Sequence, residues 1–330
     1  MTIKLDSKKI SVKYIGGAIG EPGKGQVFGG TMATNYAIRE AFKNSNLFDL
    51  DIKTRSDFNS IEEAREFLNS GSIAWLDDTS FLEGFYEEGF ERPDLIGPIT
   101  RSPVKRYHNG EWRSKYTPEY FYSGKIIRLN ESEEKRSTLL PEFTDDYVKH
   151  ISLIRHGIDL NLLKPRDKGR VYILWAGNSK RHAKNYPMWE DIREFIAYRM
   201  GGLPNGYKFK TMSGYKVEDY WDTLDKTALL VNTSLYESFC SAVAEARAKG
   251  AGALVKEKFN GEIMHLNQPG QTKYTVEDYA SKIVDLCMHP EKMVQLQRDS
   301  YIYVSENCSL DAMREDIEKV LLEIMEEKYG

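Results

Sequence analysis

The sequence has few cysteines, no long apolar run and no excess of positive charge. The three cysteines, Cys240, Cys287 and Cys308, are odd in number and form no C-x-x-C pair, which argues against a disulfide framework and favours a reducing compartment. No stretch approaches the roughly 18 apolar residues of a membrane-spanning helix, and the N-terminus lacks the apolar core of a signal peptide. The formal net charge of −4 excludes a general attraction to nucleic acid or anionic lipid, but leaves room for a local basic patch. These absences predict a cytoplasmic protein with no transmembrane segment.

The chain has 330 residues, which is more than a single core usually serves, so two domains are expected. Apolar runs of strand length alternate with longer helical patterns, and this alternation indicates parallel sheets covered by helices. Residues 10–15 and 171–176 predict the first strand of each half, and Pro165 with its charged neighbours interrupts the pattern between them. We therefore predict an α/β fold with domains at 1–164 and 165–330, and the last helix packing back on the first domain.

The segment SLYESFCSAVAEARAKG (234–250) carries two glutamates eight residues apart. Glu237 follows a predicted strand, and Glu245 lies in the helix that comes next. The N-terminus of that helix exposes backbone N–H groups and a positive dipole end, which suit phosphate oxygens, while carboxylates accept hydrogen bonds from hydroxyls. A nucleotide-sugar offers both kinds of group. By spacing alone, however, an N-terminal-turn glutamate and a solvent-facing helix glutamate explain the same pattern.

Five stretches of the chain, in order, resemble retaining GT-B glycosyltransferases of family four. Glu237 and Glu245 match the Glu-x7-Glu signature, with Ser234 and Phe239 in place and Cys240 where the family usually has glycine. The other matches are HGIDLNLLKP (156–165), ILWAGNSKRHAKN (173–185), Gly214 ahead of EDYWDTLDKTALLV, and the closing YVSENCSLDAMREDIEKVLLEI. Together they cover about residues 151–325.

The resemblance implies a GT-B fold, in which two Rossmann-like domains face each other across a cleft. It also implies transfer of a sugar from a nucleotide-sugar to an acceptor hydroxyl, with retention of the anomeric configuration. Carried over, Glu245 would hold the ribose hydroxyls, Glu237 would contact the donor sugar, and Lys184 would neutralise the departing diphosphate. Backbone N–H groups near sugar and phosphate would come from Ser238, Phe239 and Cys240.

The loop after the first strand of the second half departs from the family. Gly177 is followed by Asn178, where the family has arginine. Either Lys180 or Arg181 is expected to supply the second cation, or the two belong to a charged loop with no ligand. Gly214 fits the turn that reaches the nucleotide base. Because the sequence has no His/Cys cluster with zinc spacing and no convincing Asp-x-Asp metal site, we expect no metal and no other cofactor, and the nucleotide-sugar is a co-substrate.

A glycine-rich segment, GGAIGEPGKGQVFGGT (16–31), matches neither common phosphate-binding motif. A Walker loop requires Ser or Thr after its lysine, but Lys24 is followed by glycine. A dinucleotide fingerprint needs glycine at the position where this sequence has Phe28. We interpret the segment as a loop that ends with Gly29 and Gly30 at a helix N-terminus. The resemblance implies that this loop approaches the donor diphosphate or the acceptor; a surface loop without a ligand is the alternative.

The first half offers two weaker candidates for the acceptor site. Asp77 and Asp78 follow a predicted strand, at the edge where α/β sheets bind ligands, although loop aspartates more often serve turns. A basic segment with interleaved aromatics suits a phosphate-bearing acceptor or a solvated face equally, and its candidate residues are Arg101, Lys105, Arg106 and His108. The sequence leaves open whether the acceptor is a saccharide, an envelope precursor, a protein or a modified nucleic acid. It also leaves open the sugar, the nucleotide and the oligomeric state.

Two other functional classes fit the same fold. One is another nucleotide-sugar enzyme, either an epimerase or a phosphorylase-like enzyme. The other is a catalytically inactive nucleotide-sugar-binding protein, which is favoured only by Asn178 and Cys240 in place of the family's arginine and glycine.

Overall fold

The computed structural model describes residues 9–16, 30–76, 95–96, 106–108, 111–113, 126–129, 151–166, 168–235, 240–257 and 268–329. Contacts within the chain divide it into two units. Unit 1 contains the described residues up to Gly157 together with the last helix, and unit 2 runs from Ile158 to Ser309. Unit 2 thus begins before Pro165, because Ile158 and Leu163 are buried in the core of that unit.

Unit 1 is built on a parallel sheet of four strands in the order β2-β1-β3-β4. These strands are β1 (Ile10–Gly16), β2 (Phe48–Thr54), β3 (Ile73–Leu76) and β4 (Leu95–Ile96). Two further strand pairs are β5 (Arg106–His108) with β6 (Glu111–Arg113), antiparallel, and β7 (Ile126–Leu129) with β8 (Ile151–Ile154), parallel. The helices of unit 1 are α1 (Gly30–Lys43), α2 (Ile61–Asn69) and, at the end of the chain, α8 (Leu310–Tyr329).

The core of unit 1 lies between β1, α1 and α8. Val12 and Tyr14 on β1 are fully buried, as is Ile38 on α1. Five apolar side chains on one face of the last helix are all buried in this core: Met313, Ile317, Val320, Leu321 and Ile324. The N-terminus of α2 is capped by Ser60, whose side chain accepts a hydrogen bond from the backbone N–H of Glu63.

Unit 2 is built on an all-parallel sheet of five strands in the order β10-β9-β11-β12-β13. The strands are β9 (Tyr172–Ala176), β10 (Lys208–Met212), β11 (Thr227–Val231), β12 (Gly252–Lys256) and β13 (Gln271–Thr272). The helices are α3 (Tyr186–Arg199), α4 (Val217–Leu224), α5 (Ser241–Ala248), α6 (Val276–Met288) and α7 (Pro290–Asn307). Ile173 packs with α3 and α6, whereas its neighbour Leu174 packs with α4 and α5, so helices cover both faces of the sheet. The predicted α/β class is confirmed.

The strand order of unit 2 reverses between β9 and β11. The chain leaves β9 toward β10 on one side, and it leaves β11 toward β12 on the other. Because the two departing segments diverge, they leave a crevice at the carboxyl edge of the sheet, which is where open α/β sheets bind ligands. We refer to this edge of unit 2, formed by residues 177–185, 232–235 and 240–248, as the switch-point site.

Some elements of unit 2 follow from the sequence pattern and others do not. Gly250 ends α5 as a C-cap glycine does, because it has φ +82° and its N–H donates to the carbonyl of Arg247. Neither β10 nor α7 was predicted. In β10 lysines alternate with partly buried residues at the edge of the sheet, and in α7 only Met293, Ser300 and Val304 are buried, so the apolar periodicity is weak in both.

Candidate functional site

Lys184 lies at one side of the switch-point site, in the loop that follows β9. Gly177 begins this loop, and its N–H donates to the carbonyl of Met212 over 3.1 Å. A Cβ atom at Gly177 would stand 3.7 Å from Cδ of Lys184 and 3.2 Å from Trp175. The aliphatic part of Lys184 therefore lies near the backbone of Gly177, within ordinary van der Waals contact of a Cβ atom there, whereas the approach to the Trp175 ring would be tighter.

The backbone around Lys184 is held by the segment that follows β11. Asn185 has left-handed dihedral angles, with φ 46° and ψ 55°, and turns the chain into α3. The hydroxyl of Thr233 lies 3.0 Å from the carbonyl oxygens of both Lys184 and Asn185, and it accepts a hydrogen bond from the indole N–H of Trp175 over 2.9 Å. These bonds fix Lys184 relative to the loop that precedes α5.

Tyr274 and Lys256 add a second set of contacts to the same two loops. The hydroxyl of Tyr274 accepts a hydrogen bond from the Asn185 side chain over 2.7 Å and donates to the carbonyl of Thr233 over 2.6 Å. Lys256 is buried at the end of β12, donates to the carbonyl of Leu235, and lies 5.0 Å from the centre of the Tyr274 ring. Sequence reasoning missed both residues. The one signal in the sequence was a lysine at the end of an apolar strand.

The other candidates on the β9 loop are more exposed than Lys184. The Asn178 side chain accepts a hydrogen bond from the N–H of Lys180 over 3.0 Å, and its carbonyl accepts one from the N–H of Arg181 over 3.0 Å. Lys180 and Arg181 are exposed on the turn that results. Gly214, after β10, has φ +65° and open space where a Cβ would point, which agrees with a turn that admits a close ligand.

Glu245 lies on the other side of the switch-point site, in α5. It is only 9% exposed, and Nε1 of Trp221 donates to its Oε2 over 2.8 Å. Burial raises the pKa of Glu245 to about 7, and the Trp221 N–H opposes this rise because it stabilises the ionised form. Glu245 is therefore not the solvent-facing helix residue that its spacing alone allowed.

Cys240 caps the N-terminus of α5. Its carbonyl accepts hydrogen bonds from the N–H groups of Val243 and Ala244, which starts the helix at Ser241. Its thiol is buried, and the side-chain amide of Asn232 donates to Sγ over 3.0 Å. The thiol thus occupies packed space beside the loop, where a glycine would leave room.

Several predicted site residues cannot be placed in this geometry. Gly30 is the first residue of α1. Arg106 and His108 are in β5, but the side chains of these two residues are not described. Outside the described residues lie Glu237, Ser238, Phe239, Gly29, Asp77, Asp78, Arg101 and Lys105. Their roles stay predictions.

Among the described residues, no group of three or more His, Cys, Asp and Glu side chains could hold a metal ion. No helix in the same part of the chain is long and apolar enough to cross a membrane.

Comparisons with known proteins point to one fold. No protein-family model matches the sequence, and no curated protein matches it. Among solved structures, an alpha-glucosyltransferase in complex with UDP and a 13-mer DNA containing a HMU base has a TM-score of 0.65 at 10% identity, over 96% of this chain and 100% of that one. A glycosyltransferase from Rickettsia africae has a TM-score of 0.64 at 13% identity, over 96% and 99%. Anabaena HepE in complex with UDP and glucose has a TM-score of 0.61 at 12% identity, over 95% and 100%.

At these identities the likeness defines the fold. The chain has the α/β fold of GT-B glycosyltransferases, as the sequence resemblance implied. The neighbours are glycosyltransferases, and two of the three were crystallised with UDP.

Proposed function

We propose that this protein is a glycosyltransferase that takes a sugar from a nucleoside-diphosphate-sugar, bound at the switch-point site of unit 2. One observation carries the proposal: a lysine and a buried glutamate lie on either side of the reversal of strand order. The backbone of the lysine is held by hydrogen bonds, and the glutamate is on the helix after the neighbouring strand. Lys184 lies in the segment that follows β9, and Glu245 lies in the helix that follows β11, so the two residues belong to the segments on either side of the reversal of strand order. The UDP bound to two of the fold neighbours supports UDP as the first nucleotide to test.

The proposed chemistry assigns a separate task to each side of the site. The bond between the anomeric carbon and the β-phosphate oxygen breaks, and its electron pair leaves with the nucleoside diphosphate. Lys184, with the helix N-terminus at Ser241, stabilises the negative charge that develops on that phosphate. Glu245 accepts hydrogen bonds from the ribose hydroxyls. The acceptor oxygen bonds to the anomeric carbon on the face that the phosphate leaves, and its proton passes to the phosphate, so the configuration is retained.

Glu237 completes the proposed site from the sequence resemblance alone. A carboxylate near the sugar hydroxyls would orient the donor, so Glu237→Ala is expected to abolish transfer while UDP still binds. A Glu237→Ala enzyme with full activity would remove this carboxylate from the proposed mechanism.

The test is a binding and turnover assay on the full chain with a panel of nucleotide-sugars. A ligand that binds only the folded state raises the melting temperature, and release of nucleoside diphosphate from the sugar reports turnover. The acceptor panel includes saccharides and DNA containing a HMU base, because one neighbour is bound to such a DNA. Absence of both binding and release with every donor would overturn the proposal, and binding without release would favour an inactive binding protein.

A further inference from the structure

One hydrogen bond joins the buried carboxylate of Glu245 to helix α4. The donor is the indole N–H of Trp221, which lies 24 residues earlier in the chain and 2.8 Å from Oε2. Within the described ranges, this is the single side-chain hydrogen bond to Glu245, and no Lys or Arg forms an ion pair with it. A buried carboxylate with one neutral donor carries an uncompensated desolvation cost, so it is suited to further hydroxyl donors from a ligand.

Trp221 is itself held firmly between α4 and α5. Its ring packs against two core clusters, one of which contains Ala244 and Ala248 on α5. The adjacent Tyr220 donates to the carbonyl of Ala242, in the first turn of α5, over 2.8 Å. Because both contacts tie α4 to the helix that carries Glu245, the direction of the indole N–H is fixed relative to the carboxylate.

We propose that Trp221 is a positioning residue of the donor site: its N–H holds one oxygen of Glu245 and leaves the other for the hydroxyls of a nucleotide ribose. This inference rests on the proposed function, and it adds a residue that neither the Glu-x7-Glu spacing nor the comparisons assign. An indole N–H can only donate, so it bonds Oε2 whether or not Glu245 is ionised. Any proton on the carboxyl group is thereby directed to Oε1, the oxygen that must accept from the ribose.

This arrangement makes donor binding depend on pH. The pKa of Glu245 is raised to about 7 by burial, and the titratable groups that face it are the phenols of Tyr215 and Tyr220, with the Cys240 thiol beside them. None of these groups supplies a positive charge near neutral pH. As the pH falls, Oε1 gains a proton and accepts hydrogen bonds weakly, so the affinity for a ribose diol falls. Loss of the Trp221 N–H would raise the pKa of Glu245 further and move this transition to higher pH.

The experiment measures the dissociation constant of UDP by calorimetry from mild acid to mild base. Trp221→Phe keeps the aromatic packing and removes the N–H, and we expect its binding transition to move up by about one pH unit, with about fivefold weaker binding at neutral pH. The UDP phosphate also titrates, with a second pKa of about 6, and in Glu245→Gln only this titration remains. The difference between the binding profiles of wild type and Glu245→Gln therefore gives the contribution of Glu245. Trp221→Tyr retains a hydrogen-bond donor on a ring, and it should shift the transition less than Trp221→Phe.

The matched control is Trp189→Phe. Trp189 donates its indole N–H to Thr211 over 2.8 Å and packs in the core on the opposite face of the sheet. The same substitution there removes a similar hydrogen bond at a position away from Glu245. Its UDP profile should follow that of the wild type. In turnover, Trp221→Phe should raise KM for the donor and leave kcat nearly unchanged.

The outcomes separate this inference from the proposed function. A Trp221→Phe protein whose binding transition coincides with that of the wild type overturns the role of Trp221, provided that the wild type binds UDP and Glu245→Gln weakens it. If the wild type binds no nucleoside diphosphate at any pH, the proposed function fails, and the role of Trp221 fails with it.

Discussion

The side chain of Lys184 lies against the backbone of Gly177, so that a Cβ atom at position 177 would stand 3.7 Å from Cδ of the lysine. The same Cβ would lie 3.2 Å from the Trp175 ring, which is itself buried and hydrogen-bonded. A Cβ atom alone would make an ordinary contact with the lysine, so only a side chain that extends beyond Cβ at position 177 competes with Lys184 for space.

We predict that Gly177→Val lowers nucleotide-sugar turnover by at least about tenfold, a loss of roughly 1.4 kcal/mol in transition-state stabilisation, because it displaces the ammonium group of Lys184. Steady-state kinetics with the donor that the nucleotide-sugar panel identifies would measure it. If the effect acts through the lysine, Gly177→Val combined with Lys184→Ala will be no slower than Lys184→Ala alone. Additive losses in the double variant would contradict the stated cause.

Lys184→Ala should lower kcat by about 100-fold to 1,000-fold, which is the usual cost of removing one preorganised group that stabilises developing charge. UDP binding should weaken less, since the charge on the leaving phosphate grows during the reaction. Lys292→Gln is the control, because Lys292 pairs with Asp285 on the surface and lies outside the switch-point site. Wild-type turnover in Lys184→Ala would direct attention to Lys180 and Arg181 instead.

Tyr274→Phe removes a hydroxyl that bridges the Asn185 side chain and the Thr233 carbonyl. We expect the free energy of unfolding to fall by about 1–3 kcal/mol, because two polar partners lose a hydrogen bond at once. We also expect slower turnover, since this hydroxyl links the two loops of the site. Thermal unfolding and kinetics measure the two effects, with Tyr301→Phe on the exposed part of α7 as the control. Unchanged kinetics would show that the link is only structural.

His156 should make unit 1 sensitive to acid. Its Nδ1 donates to the carbonyl of Gly157 over 3.1 Å, and its Nε2 accepts from the hydroxyl of Thr34 over 3.2 Å. Burial lowers the pKa of this histidine from 6.5 to about 4. A base with a lowered pKa in the folded state costs stability as the pH falls from 6.5 toward 4, by roughly 3 kcal/mol in total.

Urea unfolding as a function of pH tests this expectation for His156→Gln. The variant should lose the acid-dependent slope that the wild type shows in that window, whereas His182→Gln, on an exposed turn, should keep it. Glu245 contributes a slope of opposite sign, because the raised pKa of an acid stabilises the fold below 4.5 and loses that contribution as the pH rises through 7. The comparison is therefore made between variant and wild type. Equal slopes would contradict the assignment to His156.

Local patterns in the sequence were sufficient for much of the fold. The alternation of apolar runs and helical patterns predicted parallel sheets, and the position of Gly250 after a helix predicted its left-handed cap. The face of the last helix, from Met313 to Ile324, could be predicted because helical periodicity depends only on neighbours a few residues apart. Edge strand β10 and the polar helix α7 escaped prediction, since neither carries a strong apolar period.

What the sequence determined by itself was the type of the elements with a strong apolar period, and its resemblance to a family named Lys184 and Glu245 as site candidates. Only the tertiary structure decided that Glu245 is buried against Trp221 and that Tyr274 and Lys256 hold the loops of the site. These partners are 21 to 41 residues apart in the chain. They meet because parallel strands bring their carboxyl ends to one edge, and the order in which strands pair is set by the packing of the whole sheet rather than by any local pattern.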